Sequence, residues 1–349
     1  MIDHVASMRQ AAEVLPADVF AYFAAGAGAE RTLEGQEQAW DDLLLRPRVL
    51  RDVSATSSAT QVLGHPVAAP VLVAPTAAHR LAHPDAEVAV ARATKAAGSL
   101  LVLSMRASSR VEEVATAAGP FWQQLYVLQD RGVTDEIARR AAAAGARALV
   151  VTVDTPRVAR KRVGFPASFP GTGIIEALDH RDIADPRLMQ AEDVSPHDLE
   201  RLAGTSGLPL VAKGVLTAEA ARACVAAGAS AVIVSTHGGR QLDGVVPAPF
   251  ALPEVAEAVG GDVEVYVDGG VRTGSHVLKA LALGARAVLV GRPVIWALAS
   301  EGSEGVRRLL TEMTSDVEEA LALAGCTSCA DVGPDLVRWQ NARYSRPGV

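Results

Sequence analysis

Short, uniformly apolar runs alternate with longer, alanine-rich amphipathic stretches over most of this chain. Uniformly apolar runs are typical of strands buried on both faces of a parallel sheet, and their alternation with helices indicates repeated βα units. Eight runs qualify: 70–75, 100–104, 121–127, 147–153, 208–212, 230–235, 263–267 and 286–290. Because a parallel barrel closes at eight strands, and because no G-x-G-x-x-G turn follows the first run, the pattern predicts an α/β fold of the (β/α)₈ TIM-barrel type.

Helices are predicted between these strands, and four of them have clear boundaries. Those after the second, third, fifth and seventh strands cover 111–118, 133–144, 217–227 and 274–283. Thr217 and Thr273 stand where a side-chain oxygen would accept hydrogen bonds from free helix amides. Glycine readily takes the left-handed conformation that ends a helix. It stands between helix and strand at Gly98, Gly145, Gly228 and Gly284.

Two segments depart from a minimal barrel. Residues 1–60 precede the first strand and are predicted to form an N-terminal helical extension that covers the bottom or side of the barrel. The connection after the fourth strand, about 155–207, is long and rich in Pro, Gly and Asp, which predicts a lid loop at the face where barrel active sites lie. We expect a single domain over 1–349, with the barrel in 61–349.

Composition and charge narrow the classes of function. The chain has 349 residues, of which 49% are hydrophobic and 21% charged, with a net charge of −7, as in an ordinary globular enzyme. No block of like charge predicts a nucleic-acid partner, and no apolar run is long enough to span a bilayer. The N-terminus lacks the basic start and apolar core of a secretory signal, so we expect a cytoplasmic protein with no membrane partner.

The cysteines predict neither a disulfide framework nor a metal site. There are three, Cys224, Cys326 and Cys329. The last two form a C-x-x-C pair, but a zinc site would need a second pair or nearby histidines. A redox pair would open a helix after a strand, whereas this pair follows a helix. We therefore expect inert thiols and no bound metal.

Polar residues gather where the predicted strands end, which in a barrel is the edge that carries the active site. In strand order they are Pro75-Thr76-Ala77, Ser104, Gln124 with Tyr126, Thr152 with Asp154, Lys213, Ser235 to Arg240, Asp268 to Arg272, and Gly291-Arg292. The last two are glycine–arginine turns, where backbone amides and guanidinium groups can bind an anion, so they predict a phosphate site. The alternative is that Arg272 and Arg292 pair with surface acids.

Lys213 and the loop after the sixth strand carry the candidate chemistry. A lysine beside a phosphate site would stabilise a flavin ring that carries negative charge, form a Schiff base, or extend to solvent, and position alone leaves these three open. His237 is suited to take a hydroxyl proton, Arg240 to bind a carboxylate through two hydrogen bonds, and Asp154 to orient the imidazole. This combination predicts a substrate with a carboxylate and an ionisable hydroxyl.

The motif STHGGRQLDG at 235–244 closely resembles the signature of the FMN-dependent 2-hydroxy-acid oxidases and dehydrogenases, which include glycolate oxidase, lactate oxidase, mandelate dehydrogenase and hydroxymandelate oxidase. Further motifs resemble that family's in the same order along nearly the whole chain, among them QLYV, TVDTPR, LPLVAKGVLTAEAA, VDGGVRTG and KALALGARAVLVGRP. The resemblance implies FMN as cofactor and an (S)-2-hydroxy acid oxidised to a 2-oxo acid, with oxygen or another electron acceptor. It also implies a homo-oligomer, expected to be a tetramer.

The resemblance further implies a role for each matching residue. Substrate would contact Tyr22, Tyr126 and Arg240, with His237 as base, Asp154 behind it and Lys213 offsetting negative charge on the flavin. For Tyr22 the resemblance is the only argument, because composition alone places it in the core of an N-terminal helix. FMN would be held by Pro75, Thr76, Ala77, Ser104, Gln124, Thr152, Lys213 and Ser235, and its phosphate by Asp268, Gly269, Gly270, Arg272, Gly291 and Arg292.

The chain departs from the family pattern at positions that bear on substrate. Thr236 stands where the family usually has Asn, the substrate-facing arginine after TVDTP falls on Lys161, and the usual Arg-Asn pair of that loop is missing. Arg106 replaces an apolar or aromatic pocket residue and either recognises a polar group on the substrate or points to solvent. With the small Ala78, these departures predict a substrate larger than glycolate, with an aryl 2-hydroxy acid as the preferred candidate.

Other functions remain open on the sequence. A dehydrogenase with an acceptor other than oxygen would use the same residues. An isomerase on a similar FMN barrel would leave the His-Gly-Gly-Arg loop unexplained. A sensor that binds FMN or a hydroxy acid without catalysis gains some weight from Thr236 and from the missing Arg-Asn pair.

Overall fold

The central feature of the fold is a closed barrel of eight parallel strands. The computed structural model describes residues 3–164 and 185–340. Its strands are β1 (Leu43–Leu45), β2 (Thr60–Val62), β3 (His65–Val67), β4 (Val71–Val73), β5 (Leu101–Leu103), β6 (Phe121–Leu125), β7 (Leu149–Thr152), β8 (Leu210–Val215), β9 (Ala231–Val234), β10 (Glu264–Asp268), β11 (Ala287–Val290) and β12 (Val337–Trp339). Strands β4 to β11 form the barrel, and β11 closes it by pairing with β4. The eight predicted strands and the TIM-barrel fold are confirmed.

Helices surround the barrel, and their ends agree with the sequence prediction. They are α1 (His4–Val14), α2 (Ala17–Ala24), α3 (Arg31–Asp41), α4 (Ala86–Ala96), α5 (Val111–Ala117), α6 (Arg131–Ala143), α7 (Pro196–Ser206), α8 (Ala218–Ala226), α9 (Ala248–Val259), α10 (Gly274–Ala282) and α11 (Arg292–Leu323). Thr217 and Thr273 cap α8 and α10 as predicted, accepting from the amides of Ala220 and His276. None of these helices is long and apolar enough to cross a bilayer.

The inside of the barrel is filled with side chains. Leu72, Trp122, Ile233 and Tyr266 are fully buried there, and the Trp122 and Tyr266 rings meet edge to face with their centroids 5.4 Å apart. A packed interior leaves no channel through the barrel. Chemistry is therefore confined to the ends of the strands.

The N-terminal extension contains three helices, but its predicted position is only partly right. Helix α1 packs along the side of the barrel against α11. The connection from α2 to α3 lies instead over the C-terminal mouth, where the carbonyls of Tyr22, Phe23 and Ala25 accept hydrogen bonds from Arg240 and Arg292. The bottom is covered by the β2–β3 hairpin, whose Val62 and Val67 pack into the barrel interior.

Contacts made far along the chain place α3 at the mouth. The Asp243 carboxylate accepts from the amides of Ala29 and Thr32, both at 2.9 Å, and so caps the start of α3. At Gly239 and Gly270 a Cβ would lie 2.8 Å and 2.6 Å from α3 backbone atoms, so only glycine allows the helix this close. A local hydrophobic pattern cannot reveal these contacts, which is why sequence analysis misplaced the segment.

The connection after the fourth barrel strand is shorter than predicted. Helix α7 begins after Ser195, which forms a capping box with Asp198, so the last part of the range 155–207 is the fourth barrel helix. A short 3₁₀ turn, Pro186–Leu188, precedes it. The middle of the predicted lid, 165–184, lies outside the described residues.

Candidate active site

A histidine–aspartate pair occupies the mouth of the barrel. His237 Nδ1 lies 3.0 Å from Asp154 Oδ1 and 3.3 Å from Oδ2. Because the carboxylate holds Nδ1, Nε2 is the ring nitrogen left to exchange a proton with a ligand. Burial alone would raise the pKa of Asp154, but His237 and Lys213 outweigh it and lower that pKa, so the carboxylate stays charged.

The backbone around this pair is shaped to bring the two side chains together. His237, Gly238 and Gly239 all have positive φ, of 55°, 63° and 73°, so the chain turns sharply as it leaves β9. Gly214, at a β-bulge in β8 with φ 111°, makes room for Asp154, because a Cβ there would lie 2.5 Å from the Asp154 Cβ. The sequence pattern alone did not predict this role for Gly214.

Arg240 and two tyrosines form a second group beside the histidine. Arg240 Nη1 donates to the carbonyls of Tyr22 and Ala25, both at 2.8 Å, and its guanidinium lies 5.2 Å from the Tyr22 ring centroid. Burial raises the pKa of Tyr126 to about 12, and it also raises that of Tyr22. Both phenols are therefore neutral hydrogen-bond donors. The contact with Arg240 also places Tyr22 at the mouth, beside the other candidate residues.

Arg106 and Lys161 lie at the same mouth. The Arg106 guanidinium is 5.9 Å from the Tyr126 ring centroid, and its Nη2 donates to the Leu188 carbonyl at 3.4 Å. Lys161 sits in an isolated bridge with Ala27. Burial, and then repulsion by Arg240 and Arg106, lowers the pKa of Lys161 to about 8.

The remaining strand-end residues form two hydrogen-bonded groups. In the first, Gln124 Oε1 accepts from Ser104 at 3.3 Å, and its Nε2 donates to Thr152 at 3.0 Å. In the second, Lys213 Nζ donates to Ser235 Oγ at 2.7 Å and lies 2.9 Å from Asp268 Oδ2. Lys213 is only 4% exposed, which rules out the alternative in which it extends to solvent.

The two arginines of the predicted phosphate site, Arg272 and Arg292, have different partners in the structure. Arg292 donates to the carbonyls of Phe23 and Gly238 at 3.0 Å and 2.9 Å. Burial, and then Arg240 and Arg272, lowers its pKa. Arg272 Nε lies 3.5 Å from the half-exposed Glu37, so this arginine contacts a surface acid through its Nε edge. Among the described residues Arg292 has no carboxylate partner.

Other predicted site residues line the first and last strand ends. Pro75, Thr76 and Ala77 follow β4 and are half-buried. A Cβ on Gly291 would lie 3.7 Å from Thr76 Oγ1, so the two turns adjoin with space between them. Gly269 and Gly270 have positive φ, of 96° and 78°, at the end of β10.

One buried side chain at the mouth, Gln36, was not predicted from the sequence. Gln36 on α3 accepts a hydrogen bond from Thr236 Oγ1 at 3.0 Å. A Cβ on Gly269 would lie 2.6 Å from Gln36 Oε1. Gln36 thus ties the sixth and seventh strand ends to the N-terminal extension. No local signal marks it, because its partners lie 200 or more positions away in sequence and approach it only in the folded chain.

The three cysteines are free thiols, as predicted. Burial raises the pKa of each and brings that of Cys329 to about 11, which leaves little reactive thiolate. In residues 3–164 and 185–340 no cluster of three His, Cys, Asp or Glu side chains could hold a metal ion.

Known proteins resemble this chain both in sequence and in structure. Residues 11–339 match the family described as FMN-dependent dehydrogenase. Glycolate oxidase 1 of Oryza sativa subsp. indica is 42% identical over 97% of the chain and 95% of its own length, and glycolate oxidase of Spinacia oleracea is 41% identical over 92% and 91%. A mandelate oxidase structure with (S)-2-phenylpropionate superposes with a TM-score of 0.89 at 39% identity, over 97% of this chain and 98% of the other. One with benzoyl-formic acid has the same TM-score at 40% identity and the same coverage.

Proposed function

The chain belongs to the FMN-dependent dehydrogenase family, and on that premise we propose that it is an oxidase of an (S)-2-hydroxy acid larger than glycolate, with oxygen as electron acceptor. The observation that carries the proposal is the His237–Asp154 pair beside Arg240. A base and a carboxylate-binding group at one barrel mouth are what a 2-hydroxy acid requires.

The residues at the mouth fit FMN. The buried Asp268 Oδ1 has no hydrogen-bond partner among the described residues, and a ribityl hydroxyl would supply the missing donor. Lys213 provides a buried cation for the ring, and the glycine–arginine turns provide donors for the phosphate. When bound, FMN would accept the two electrons and the second hydrogen that the substrate loses on oxidation. The residues that would hold it are Pro75, Thr76, Ala77, Ser104, Gln124, Thr152, Lys213, Ser235, Asp268, Gly269, Gly270, Arg272, Gly291 and Arg292.

The protein's own groups bind the substrate and move its proton. Arg240 binds the carboxylate, and its contacts with the Tyr22 and Ala25 carbonyls fix the direction of its guanidinium. Tyr126 and Tyr22 donate hydrogen bonds to substrate oxygens. His237 Nε2 takes one proton from the H–C2–O–H group of the substrate, and Asp154 stabilises the imidazolium that results.

The size of the substrate and the identity of the acceptor are the finer parts of the proposal. Ala78 is small and lies fully buried after the first barrel strand, where a short side chain would leave a larger substrate more room than a bulkier one. The solved neighbours are mandelate oxidases, and one of them holds benzoyl-formic acid, so an aryl side chain is one candidate. Both the relatives and the neighbours are named oxidases, which supports oxygen as acceptor. The tetramer, the cytoplasmic location and the single domain over 1–349 stay predictions.

The proposal is tested by spectroscopy on the purified protein. We expect a yellow protein whose 450 nm band is bleached by an (S)-2-hydroxy acid without oxygen and returns, with formation of hydrogen peroxide, when oxygen is admitted. Bleaching followed by recovery only with a quinone or ferricyanide would reject oxygen as acceptor. A yellow protein that no aliphatic or aryl 2-hydroxy acid bleaches would reject the proposed function.

Replacing Gly214 with alanine is expected to lower turnover by about 10²-fold, because a displacement of roughly 1 Å in a catalytic group costs that much. The new Cβ would lie within 2.5–2.9 Å of the Asp154 side chain and push it away from His237. Turnover and FMN content are measured together. The control is Gly228→Ala, where φ is also positive, at 89°, but nothing lies within 4 Å of the new Cβ. Equal losses in both variants would contradict the role given to Gly214.

A further inference from the structure

One buried side chain of the N-terminal extension packs against both turns that carry the candidate chemistry. Gln36, on α3, is only 3% exposed. A Cβ at Gly239 would lie 3.0 Å from Gln36 Nε2, and a Cβ at Gly269 would lie 2.6 Å from Gln36 Oε1. Both glycines have positive φ, of 73° and 96°. One end of the amide therefore lies against the turn of the candidate base, and the other end lies against the predicted phosphate turn.

Hydrogen bonds connect this amide to the backbone that leads to His237. The hydroxyl of the buried Thr236 donates to Gln36 Oε1 at 3.0 Å. The Thr236 carbonyl accepts from the Gly239 amide at 3.0 Å, which closes the sharp turn that contains His237. A displacement of Thr236 would therefore move the imidazole of the residue that follows it.

The same helix holds the predicted phosphate turn at two further points. One helical turn along α3, Trp40 Nε1 donates to the Gly269 carbonyl at 2.8 Å. The backbone of α3 also lies against Gly270, where a Cβ would be 2.6 Å from the Gln36 carbonyl oxygen. Gly269 and Gly270 are thus fixed relative to Gln36 and, through its side chain, relative to Thr236.

The reach of the Gln36 side chain gives a physical reason for the departure at residue 236. Thr236 stands where the family usually has Asn, and its hydroxyl is a shorter polar group than an asparagine amide. A buried hydroxyl without a partner is costly, and the long Gln36 side chain supplies that partner. A methionine at position 36 would fill a similar volume but would accept no hydrogen bond. Packing alone therefore does not account for a glutamine at this position.

We propose that Gln36 is a positioning residue that holds the turn of His237 and the FMN phosphate turn in one fixed arrangement, so that cofactor binding and proton transfer depend on the same buried hydrogen bond. The inference rests on the proposed function and adds a residue to it. Gln36 acts through Thr236 and Gly269. Its amide does not titrate, so it takes no part as an acid or a base.

The test removes the hydrogen bond from either side. Gln36→Met and Thr236→Val keep the volume of the side chain and lose the bond. Each should raise the FMN dissociation constant about tenfold, measured by FMN fluorescence as the holoprotein is diluted, and slow flavin reduction at saturating 2-hydroxy acid about tenfold, since a buried hydrogen bond contributes up to about that factor. The dissociation constant of the acid should change little, because the Tyr22 and Ala25 carbonyls hold Arg240 separately.

Further variants separate the hydrogen bond from packing. The double variant Gln36→Met with Thr236→Val should lose no more than the weaker of the two single variants, because both changes remove the same bond. Thr236→Ser keeps the hydroxyl and should keep both the FMN affinity and the rate of reduction. The matched control is Thr32→Val, which removes a different hydrogen bond of α3, the one from the Gly244 amide at 2.8 Å, and should leave both quantities unchanged.

The outcomes that would overturn the inference differ from those that would reject the proposed function. Losses that add up in the double variant, or a loss in Thr236→Ser or Thr32→Val equal to that in Thr236→Val, would overturn it. Weaker FMN binding with an unchanged rate of reduction would also overturn it, because the two turns would then be independent. Failure of every 2-hydroxy acid to bleach the flavin would count against the proposed function, and the FMN dissociation constants, measured without substrate, would still decide the inference.

Discussion

Replacement of His237 by alanine or asparagine is expected to leave the protein yellow and to slow flavin reduction by a 2-hydroxy acid by about 10³-fold, within the range of roughly 10²–10⁴ that a positioned general base contributes. His237 Nδ1 is held by Asp154 at 3.0 Å, and its imidazole is the base that the described mouth places beside Arg240. Removing it leaves the substrate proton without an acceptor. The rate is measured by anaerobic stopped-flow at 450 nm.

The two variants separate chemistry from folding. His237 has a φ of 55°, and asparagine adopts this left-handed conformation more readily than alanine, so His237→Asn keeps the turn even where alanine strains it. The control is His197→Ala, because the His197 side chain is 91% exposed and, in the described part of the chain, pairs only with the exposed Glu200. A variant that is reduced at the rate of the unmodified protein would contradict the role of His237.

Replacement of Arg240 by methionine is expected to lower the second-order rate constant of flavin reduction by about 10²–10³-fold, since removing one partner of a buried charge pair costs roughly 2–5 kcal/mol. The loss has two sources. The substrate carboxylate loses a guanidinium that can donate two parallel bonds, and the Tyr22 and Ala25 carbonyls lose their donor at 2.8 Å. Arg240→Lys should recover only part of the loss, because an ammonium cannot replace the planar fork.

Reoxidation provides the internal control for this variant. Once reduced chemically, Arg240→Met should react with oxygen as fast as the unmodified protein does, because the substrate carboxylate takes no part in that step. A variant with unchanged reduction by substrate would contradict the assignment. Slow reoxidation would show that the substitution disturbs the flavin site as a whole.

The barrel could be predicted from the sequence because each strand carries its own signal. A run such as 147–153 is apolar throughout, and this predicts burial on both faces whatever the rest of the chain does. Thr217 and Thr273 mark helix starts by hydrogen bonds that span only three residues. The same reasoning singled out Lys213, His237 and Arg240 as candidates, because polar residues directly after apolar strands stand out.

What could not be predicted depends on contacts between distant parts of the chain. The position of α3 over the mouth is fixed by Asp243 and by close approach at Gly239 and Gly270, and none of these signals lies in α3 itself. Tyr22 entered the site only through family resemblance. Gln36 was missed for the same reason, since its partner Thr236 is remote in sequence.

The loop after the fourth barrel strand shows a second limit of local patterns. Pro, Gly and Asp across 155–207 predicted one long lid, yet α7 begins at Pro196 within it. Ser195 and Asp198 form a capping box there, and this signal was outweighed by the composition of the surrounding segment. Helix α7 has only 11 residues, so the average composition of about fifty residues does not reveal it.

A crystal structure of the FMN-loaded protein with a 2-oxo acid bound would test whether the barrel mouth is one assembled active site. We expect the flavin ring against Ser104, Gln124 and Thr152, the acid's carboxylate on Arg240, and its 2-oxo oxygen within hydrogen-bond distance of His237 Nε2. A flavin or an acid bound elsewhere, with His237 and Arg240 facing away from both, would contradict the mechanism proposed for this protein.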